Sequence, residues 1–170
     1  WLDRMSPAEL VDALDSPNGW QRDKAHMALL WAADSLSESE RVALTDRLTA
    51  MATGHPNPLA KVHAIGALDG LGALTADVLR RAIADAHPRV REVALRFSAG
   101  LADRPLIADA AALADDPDPK VRMQLALSAG SWTADPERTA EILAALAVKD
   151  HADPFARAAV LSSAADHGLT

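Results

Sequence analysis

Apolar residues recur along the chain at intervals of three and four, in short stretches separated by polar turns. Between residues 42 and 51 the large apolar residues are Val42, Leu44, Leu48 and Met51. Such spacing places the apolar side chains on one face of an α-helix, whereas a half-buried strand would alternate at every second residue. The pattern therefore predicts a series of short amphipathic helices.

Proline and glycine indicate where many of these helices begin and end. Proline is tolerated at the first helical position because its missing N–H would have no partner there, and a preceding Asp or Asn can cap the helix. Glycine favours the residue just past a helix end. The predicted starts are Pro58, Pro88, Pro119 and Pro154, and the matching ends are Gly72, Gly100, Gly130 and Gly168. Further helices are predicted to begin near Pro7, Ser37, Thr75, Arg104 and Asp135.

A short motif recurs at each of these prolines. It occupies residues 57–61, 87–91, 118–122 and 153–157, with Lys or Arg three positions after the proline and a small apolar residue two positions after it. A divergent fifth copy, residues 16–22, has Gly19 at the proline position. Repeats of this length are typical of stacked helical hairpins. We predict an all-α fold, an α-solenoid of about five hairpins in a single domain, residues 1–170. The repeats are about 1–34, 37–72, 75–100, 104–130 and 135–168.

Composition narrows the classes of function. The net charge is −7, and residues 1–85 and 86–170 each hold more acidic than basic side chains, so no basic face for nucleic acid is expected. Cysteine is absent, which excludes disulfides, zinc–thiolate sites and a CxxCH haem site within this sequence. We found no GxSxG motif and no phosphate-binding glycine loop. No enzyme activity, metal or cofactor is predicted for this segment.

The motif resembles the HEAT repeat, which places Asp in the loop and then Val and Lys or Arg in the second helix. Asp85, Val90 and Arg91 fit that pattern, as do Asp116, Val121 and Arg122. The other copies depart from it, with Ser16, His55 and His151 at the aspartate position. Asp15 and Asp150 lie one residue earlier and are expected to substitute.

Four longer segments are similar to the HEAT segment of planctomycete-type haem-binding, membrane-bound dehydrogenase-like proteins of bacteria. They are residues 14–23 (LDSPNGWQRD), 55–71, 118–127 (DPKVRMQLAL) and 155–163 (FARAAVLSS). In that family a propeller-like dehydrogenase domain precedes the HEAT segment, and a c-type cytochrome domain with CxxCH follows it. The resemblance implies a spacer whose partners are protein domains in cis, with haem c elsewhere in the parent, in the periplasm or at a membrane. Because the chain opens at Trp1 rather than Met, we expect it to be part of a larger protein.

The repeated basic residue has two interpretations. A stripe of cations could bind phosphate or an acidic partner. Alternatively, each cation pairs with a loop aspartate of its own or the adjacent repeat and orders the turns, which we favour because each has acid nearby. This structural ladder comprises Arg22, Lys61, Arg91, Arg122 and Arg157, with Asp15, Asp85, Asp116 and Asp150.

The loop histidines and the tryptophans are candidates for contact surfaces rather than for catalysis or metal binding. His55, His87 and His151 fall in corresponding loops and, with Trp20, form a candidate interaction surface; no HExxH motif supports a metal site. Trp20 and Trp31 share a helix face, and we expect them, like Trp132, to pack in the core or at repeat ends. An exposed tryptophan would instead mark a contact surface.

The acidic loop containing Asp115, Asp116 and Asp118 lacks the glycine and distal glutamate of a calcium loop, so turn and helix-cap roles are expected.

We therefore expect a non-catalytic scaffold or protein-interaction module. The alternatives are an enzyme resembling HEAT-like DNA glycosylases and a protein resembling bilin lyases of the HEAT type. The first needs a basic groove for phosphates, which the acidic composition disfavours. The second is disfavoured by the few aromatic residues and the absence of Cys.

Overall fold

The computed structural model describes residues 5–99 and 104–166. Within these residues it contains ten α-helices, one 3₁₀ helix and no strand, so the predicted all-α class is confirmed. The α-helices are α1 Pro7–Ala13, α2 Gly19–Ala33, α3 Glu38–Gly54, α4 Pro58–Gly70, α5 Ala76–Ile83, α6 Pro88–Ser98, α7 Arg104–Ala111, α8 Pro119–Ala129, α9 Pro136–Lys149 and α10 Pro154–Asp166; the 3₁₀ helix is Ala112–Asp115.

The chain divides into two compact units, residues 1–78 and 79–170, and the division falls inside α5. In the first unit α1 packs on α2 and α3, and α4 packs on both α2 and α3. The apolar faces that the spacing predicts meet between these helices. The fully buried side chains of this core include Leu14, Leu29, Leu48, Ile65 and Leu68.

In the second unit the helices that begin at proline pack side by side, α6 on α8 and α8 on α10. Helix α9 packs on α7, α8 and α10, and the 3₁₀ helix lies against α7, α8 and α9. The core of this unit is filled by Leu95, Leu106, Ile107, Leu125 and Trp132, all fully buried.

The four predicted proline starts coincide with the first residues of α4, α6, α8 and α10. In all four the preceding side chain accepts a hydrogen bond from the backbone N–H two residues on: 2.9 Å at Asn57, 3.1 Å at Nδ1 of His87, 2.8 Å at Asp118 and 2.8 Å at Asp153. Each acceptor satisfies one of the amides that a helix start leaves without a partner.

The glycine ends differ from the prediction in one respect. Gly72, just past α4, has φ +66° and so occupies the left-handed region expected of a helix end. Gly130 follows α8 with φ −57°, which any residue could adopt. A Cβ at Gly130 would lie 2.8 Å from Oγ of Ser163 on α10, so close approach explains this glycine. Gly100 and Gly168 lie outside the described residues.

Candidate functional site

Four arginines in the first turn of a helix reach back to the turn that precedes it. In each case Nη1 donates to the carbonyl oxygen six residues earlier. The bonds are Arg22 to Ser16 (2.7 Å), Arg91 to Asp85 (2.9 Å), Arg122 to Asp116 (2.7 Å) and Arg157 to His151 (3.0 Å). The recurring arginine therefore closes the turn of its own hairpin.

Two of these arginines also bind a carboxylate of the next hairpin. Arg91 donates from Nε and Nη2 to Asp116 at 2.6 and 2.8 Å, and Arg122 donates from the same atoms to Asp150 at 2.8 and 2.6 Å. This two-point geometry suits a planar guanidinium facing a carboxylate. We call each such Arg–Asp pair a rung. Both rungs lie within the second unit.

The rungs shift the pKa of their members. Burial of Asp116 raises the pKa of its carboxyl, but hydrogen bonds from Arg91 and from the amide of Asp118 outweigh it and hold the pKa below its usual value. The hydrogen bonds from Arg122 lower the pKa of Asp150 in the same way. The Asp116 side chain is only 2% exposed, and that of Asp150 is 15% exposed. Asp116 therefore depends more strongly on its partner.

In the first unit the positions that correspond to the rung residues make different contacts. His55 occupies the sequence position of Asp116, and the buried Nε of Arg22 has no hydrogen-bond partner among the described residues. His55 lies 3.6 Å from Asp15 (Nε2 to Oδ2), and Asn57 donates to the other oxygen of Asp15 at 2.7 Å. Asp15 thus joins the turns before α2 and α4 without binding Arg22. Lys61 lies in the first turn of α4 and is partly buried.

A pair of serine hydrogen bonds was missed by the sequence analysis. Ser128 donates to the carbonyl of Leu95 at 2.8 Å, and Ser163 donates to the carbonyl of Ala126 at 2.6 Å. Each serine lies nine residues after the proline that starts its helix. Each acceptor lies seven residues after the proline that starts the second helix of the preceding hairpin. The repeated position of these serines was the available signal. The bonds tie α8 to α6 and α10 to α8.

The three loop histidines have local roles. Nδ1 of His55 accepts from the amide of Asn57 at 3.2 Å, and His87 caps α6. His151 lies with Nδ1 3.0 Å from the carbonyl oxygen of Val148. His87 and His151 are exposed, whereas His55 is partly buried. No group of three or more metal-ligating side chains occurs among the residues that the structure describes.

A second histidine arrangement was not anticipated from the sequence. The rings of His26 on α2 and His63 on α4 pack edge to face, with centroids 6.0 Å apart. Burial lowers the pKa of both imidazoles. His26 and Arg22 lower the pKa of His63 further, while the Asp23 carboxylate opposes the shift in both rings. The residues are 37 positions apart (26 to 63), so only the packing of α2 on α4 brings them together.

The tryptophans divide into two kinds. Trp132 is fully buried, as expected, but the core-packing prediction is wrong for Trp20 and Trp31, which are 60% and 70% exposed. Met27, on the same side of α2, is 42% exposed. We call Trp20, Met27 and Trp31 the α2 stripe. The helix directs its buried residues, Ala25, Leu29 and Ala33, to another side.

Every carboxylate of the acidic loop has a basic or backbone partner. Asp115 accepts from Nζ of Lys149 at 2.6 Å, Asp116 forms a rung, and Asp118 caps α8. The loop therefore serves turn, cap and ion-pair roles.

No family model matches the chain, and a search of curated proteins finds no match to its sequence. Of the helices that the structure describes, none has the length and apolar character to cross a membrane.

Proposed function

We propose that the chain is a HEAT-type α-solenoid that acts as a non-catalytic scaffold for protein interaction. The observation that carries this proposal is the α2 stripe. Tryptophan is costly to leave in water, and exposed tryptophans are enriched where proteins bind one another. Here two of them, with Met27 between, lie on one helix of a packed unit.

The rungs and the serine bonds support the scaffold part of the proposal. Each rung joins two consecutive hairpins through a two-point ion pair, and each serine bond joins their second helices. Such contacts hold neighbouring hairpins at a fixed spacing, which favours a rigid spacer over a flexible linker. The candidate histidines and ladder residues engage the protein's own backbone and side chains, which favours a structural role over catalysis.

The parent that we propose is a dehydrogenase-like protein in which this segment separates a propeller domain from a c-type cytochrome domain. Its partners are then domains of the same polypeptide, and the haem is bound elsewhere in it. This follows the resemblance of the repeat segments, and the complete reading frame tests it directly. A frame with neither a propeller domain nor CxxCH would contradict the parentage and leave the scaffold proposal standing.

Site-specific photo-crosslinking tests the role of the α2 stripe. A benzoylphenylalanine is placed at Trp20 or at Trp31 in the full-length protein, and the crosslinked peptides are identified by mass spectrometry. The matched control is the same residue at Asp46, an exposed position on α3 of the same unit. We expect crosslinks from the stripe to one defined protein surface and none above background from Asp46. Equal, diffuse labelling from all three positions would contradict the proposal.

A further inference from the structure

The side of α10 that lies away from α8 carries a large apolar residue in water, because Leu161 is 69% exposed. On α9, Val148 is 77% exposed. Ala147, Arg157, Val160 and Leu161 line a shallow, largely apolar hollow between these two helices. We call this surface the α10 face.

Helix α8 shows what covers the equivalent surface one hairpin earlier. Pro119 and Pro154 are 35 positions apart, so Leu161 corresponds to Ala126 and Arg157 to Arg122. Ala126 is 1% exposed because α10 packs on it. The same hairpin supplies Asp150 to Arg122 and the hydroxyl of Ser163 to the carbonyl of Ala126. A seated hairpin therefore brings an apolar helix, a turn carboxylate and a serine hydroxyl.

Arg157 makes the turn contact of Arg91 and Arg122 but not their contact with a carboxylate of the next hairpin. Its Nη1 closes the preceding turn through the carbonyl of His151, as in the other copies. No carboxylate among the described residues lies within ion-pair distance of it, and its side chain is exposed. The guanidinium is thus already held at the position from which a rung forms.

We propose that the α10 face binds a further helical hairpin, one with an aspartate in its turn and a serine nine residues into its second helix. Arg157 would bind the aspartate as Arg122 binds Asp150, and the carbonyl of Leu161 would accept from the serine. The proposal rests on the scaffold function above and names the kind of partner and the surface that receives it.

A second copy of this chain fits the α10 face less well. Two copies related by a two-fold axis through this face would offer each Arg157 the same surface of the other copy, and none of the residues that line the hollow is acidic. The first hairpin of another copy would present Asp15, whose carboxylate already engages His55 and Asn57. Its second helix has Ala28, nine residues after Gly19, where the proposed partner has serine.

An extended protein tests the proposal. A copy of residues 134–166 is appended after Thr170, so that six residues precede its first helix, as residues 130–135 precede α9. Arg157→Gln is introduced at its original position in both the extended and the original protein. Asp150→Asn is introduced only in the appended copy. The control is Arg138→Gln, because Arg138 pairs with Glu141 of its own helix. Thermal melting followed by circular dichroism gives the shifts.

We expect the appended hairpin to add helical signal and to raise the melting temperature. Arg157→Gln should lower the melting temperature of the extended protein by about 2–4 °C and that of the original by less than about 1 °C. Asp150→Asn in the appended copy should then have no further effect, since it removes the same pair. Arg138→Gln should shift both proteins equally.

Three results would overturn the proposal: an appended segment without helical signal, equal effects of Arg157→Gln in the two proteins, or additive effects of the two substitutions. Sedimentation of the original chain supplies one more. A dimer that Arg157→Gln dissociates would make a second copy the occupant. The crosslinking from Trp20 and Trp31 is independent of these measurements, so failure of the α10 face and failure of the α2 stripe are distinguishable.

Discussion

Both rungs pair a guanidinium with a carboxylate, but the two carboxylates differ in their exposure to solvent. At Asp116 the carboxylate is nearly inaccessible, whereas Asp150 keeps some contact with solvent. A buried charge that loses its partner cannot be compensated by hydration. The free energy of each rung should therefore follow the burial of its acid, even though the hydrogen-bond lengths are nearly the same.

Replacing the arginine of each rung tests this dependence. We expect Arg91→Gln to lower the free energy of unfolding by about 2–3 kcal/mol and Arg122→Gln by about 1–2 kcal/mol. Arg138→Gln breaks an exposed pair within α9 and should cost less than about 0.5 kcal/mol. Urea denaturation measures all three. A larger effect at Arg138 than at Arg91 would contradict the dependence on burial.

The histidine pair predicts a pH dependence in the first unit. Burial lowers both pKa values below that of the unfolded chain, about 6.5. Between the lowered values and 6.5 the unfolded state binds more protons, so stability is complete above that window and falls as the pH drops through it. The charged groups near the pair are Arg22 and Asp23.

The measurement is the melting temperature from pH 7.5 to pH 5. We expect His63→Gln to reduce its slope against pH. His151→Gln, an exposed turn position in the other unit, should leave the slope unchanged. A slope that His63→Gln does not alter would show that the pair does not cause it.

A contact is predictable from the sequence when its residues are close together in the chain or recur at a fixed interval. The ladder positions were identified because a repeat places them at fixed intervals. The partner of each arginine was a choice among nearby acids, and the structure gives Asp116 to Arg91 and Asp150 to Arg122. The contact of His26 with His63 and the exposure of Trp20 depend on helix packing, and no local signal specifies either.

At the scale of the helices, starts were predictable and ends less so. A proline start requires only the proline and the capping residue before it, all local in sequence. Gly130 shows why an end is harder, because its glycine is required by Ser163, 33 residues away (130 to 163). Gly72, in contrast, is explained locally, because its backbone has a positive φ.

Two glycine substitutions test the role of close approach, with Gly54 as the position where no other atom is close. At Gly130 a methyl group would lie 2.8 Å from Oγ of Ser163 and 3.1 Å from its Cα, so Gly130→Ala should lower stability by about 1–3 kcal/mol. At Gly54, the last residue of α3, a Cβ meets nothing within 4 Å, and Gly54→Ala should raise stability by about 0.4–1 kcal/mol. Chemical denaturation of both variants decides. A neutral Gly130→Ala would mean that α10 shifts without cost.

For the molecule as a whole, the excess of acidic over basic side chains affects which class of partner it can bind. The chain carries 17 basic and 24 acidic side chains. The arginines of the two rungs, Arg91 and Arg122, are occupied by carboxylates and cannot meet phosphates without breaking a rung. This supports the proposal of a protein surface as the partner over a nucleic acid backbone, whose binding rests on free cations.

A binding assay with duplex DNA tests the expected absence of nucleic-acid binding. In fluorescence anisotropy at about 50 mM salt, where phosphate contacts are strongest, we expect no saturable binding at micromolar protein. The matched control is the same titration with Asp115→Asn, which frees Lys149 from its ion pair. Tight, salt-dependent binding by the unaltered chain would favour the glycosylase-like alternative.

Each rung takes its cation from one hairpin and its anion from the next. A hairpin such as residues 104–130 therefore carries an anion, Asp116, that pairs with the hairpin before it, and a cation, Arg122, that pairs with the hairpin after it. Duplicating one such unit in a gene leaves every junction matched, because each new copy brings both halves. Inserting or deleting part of a unit leaves an unmatched charge on either side. Changes in length through whole units of 31 to 35 residues, the spacing of Pro88, Pro119 and Pro154, are thus the ones that this architecture tolerates.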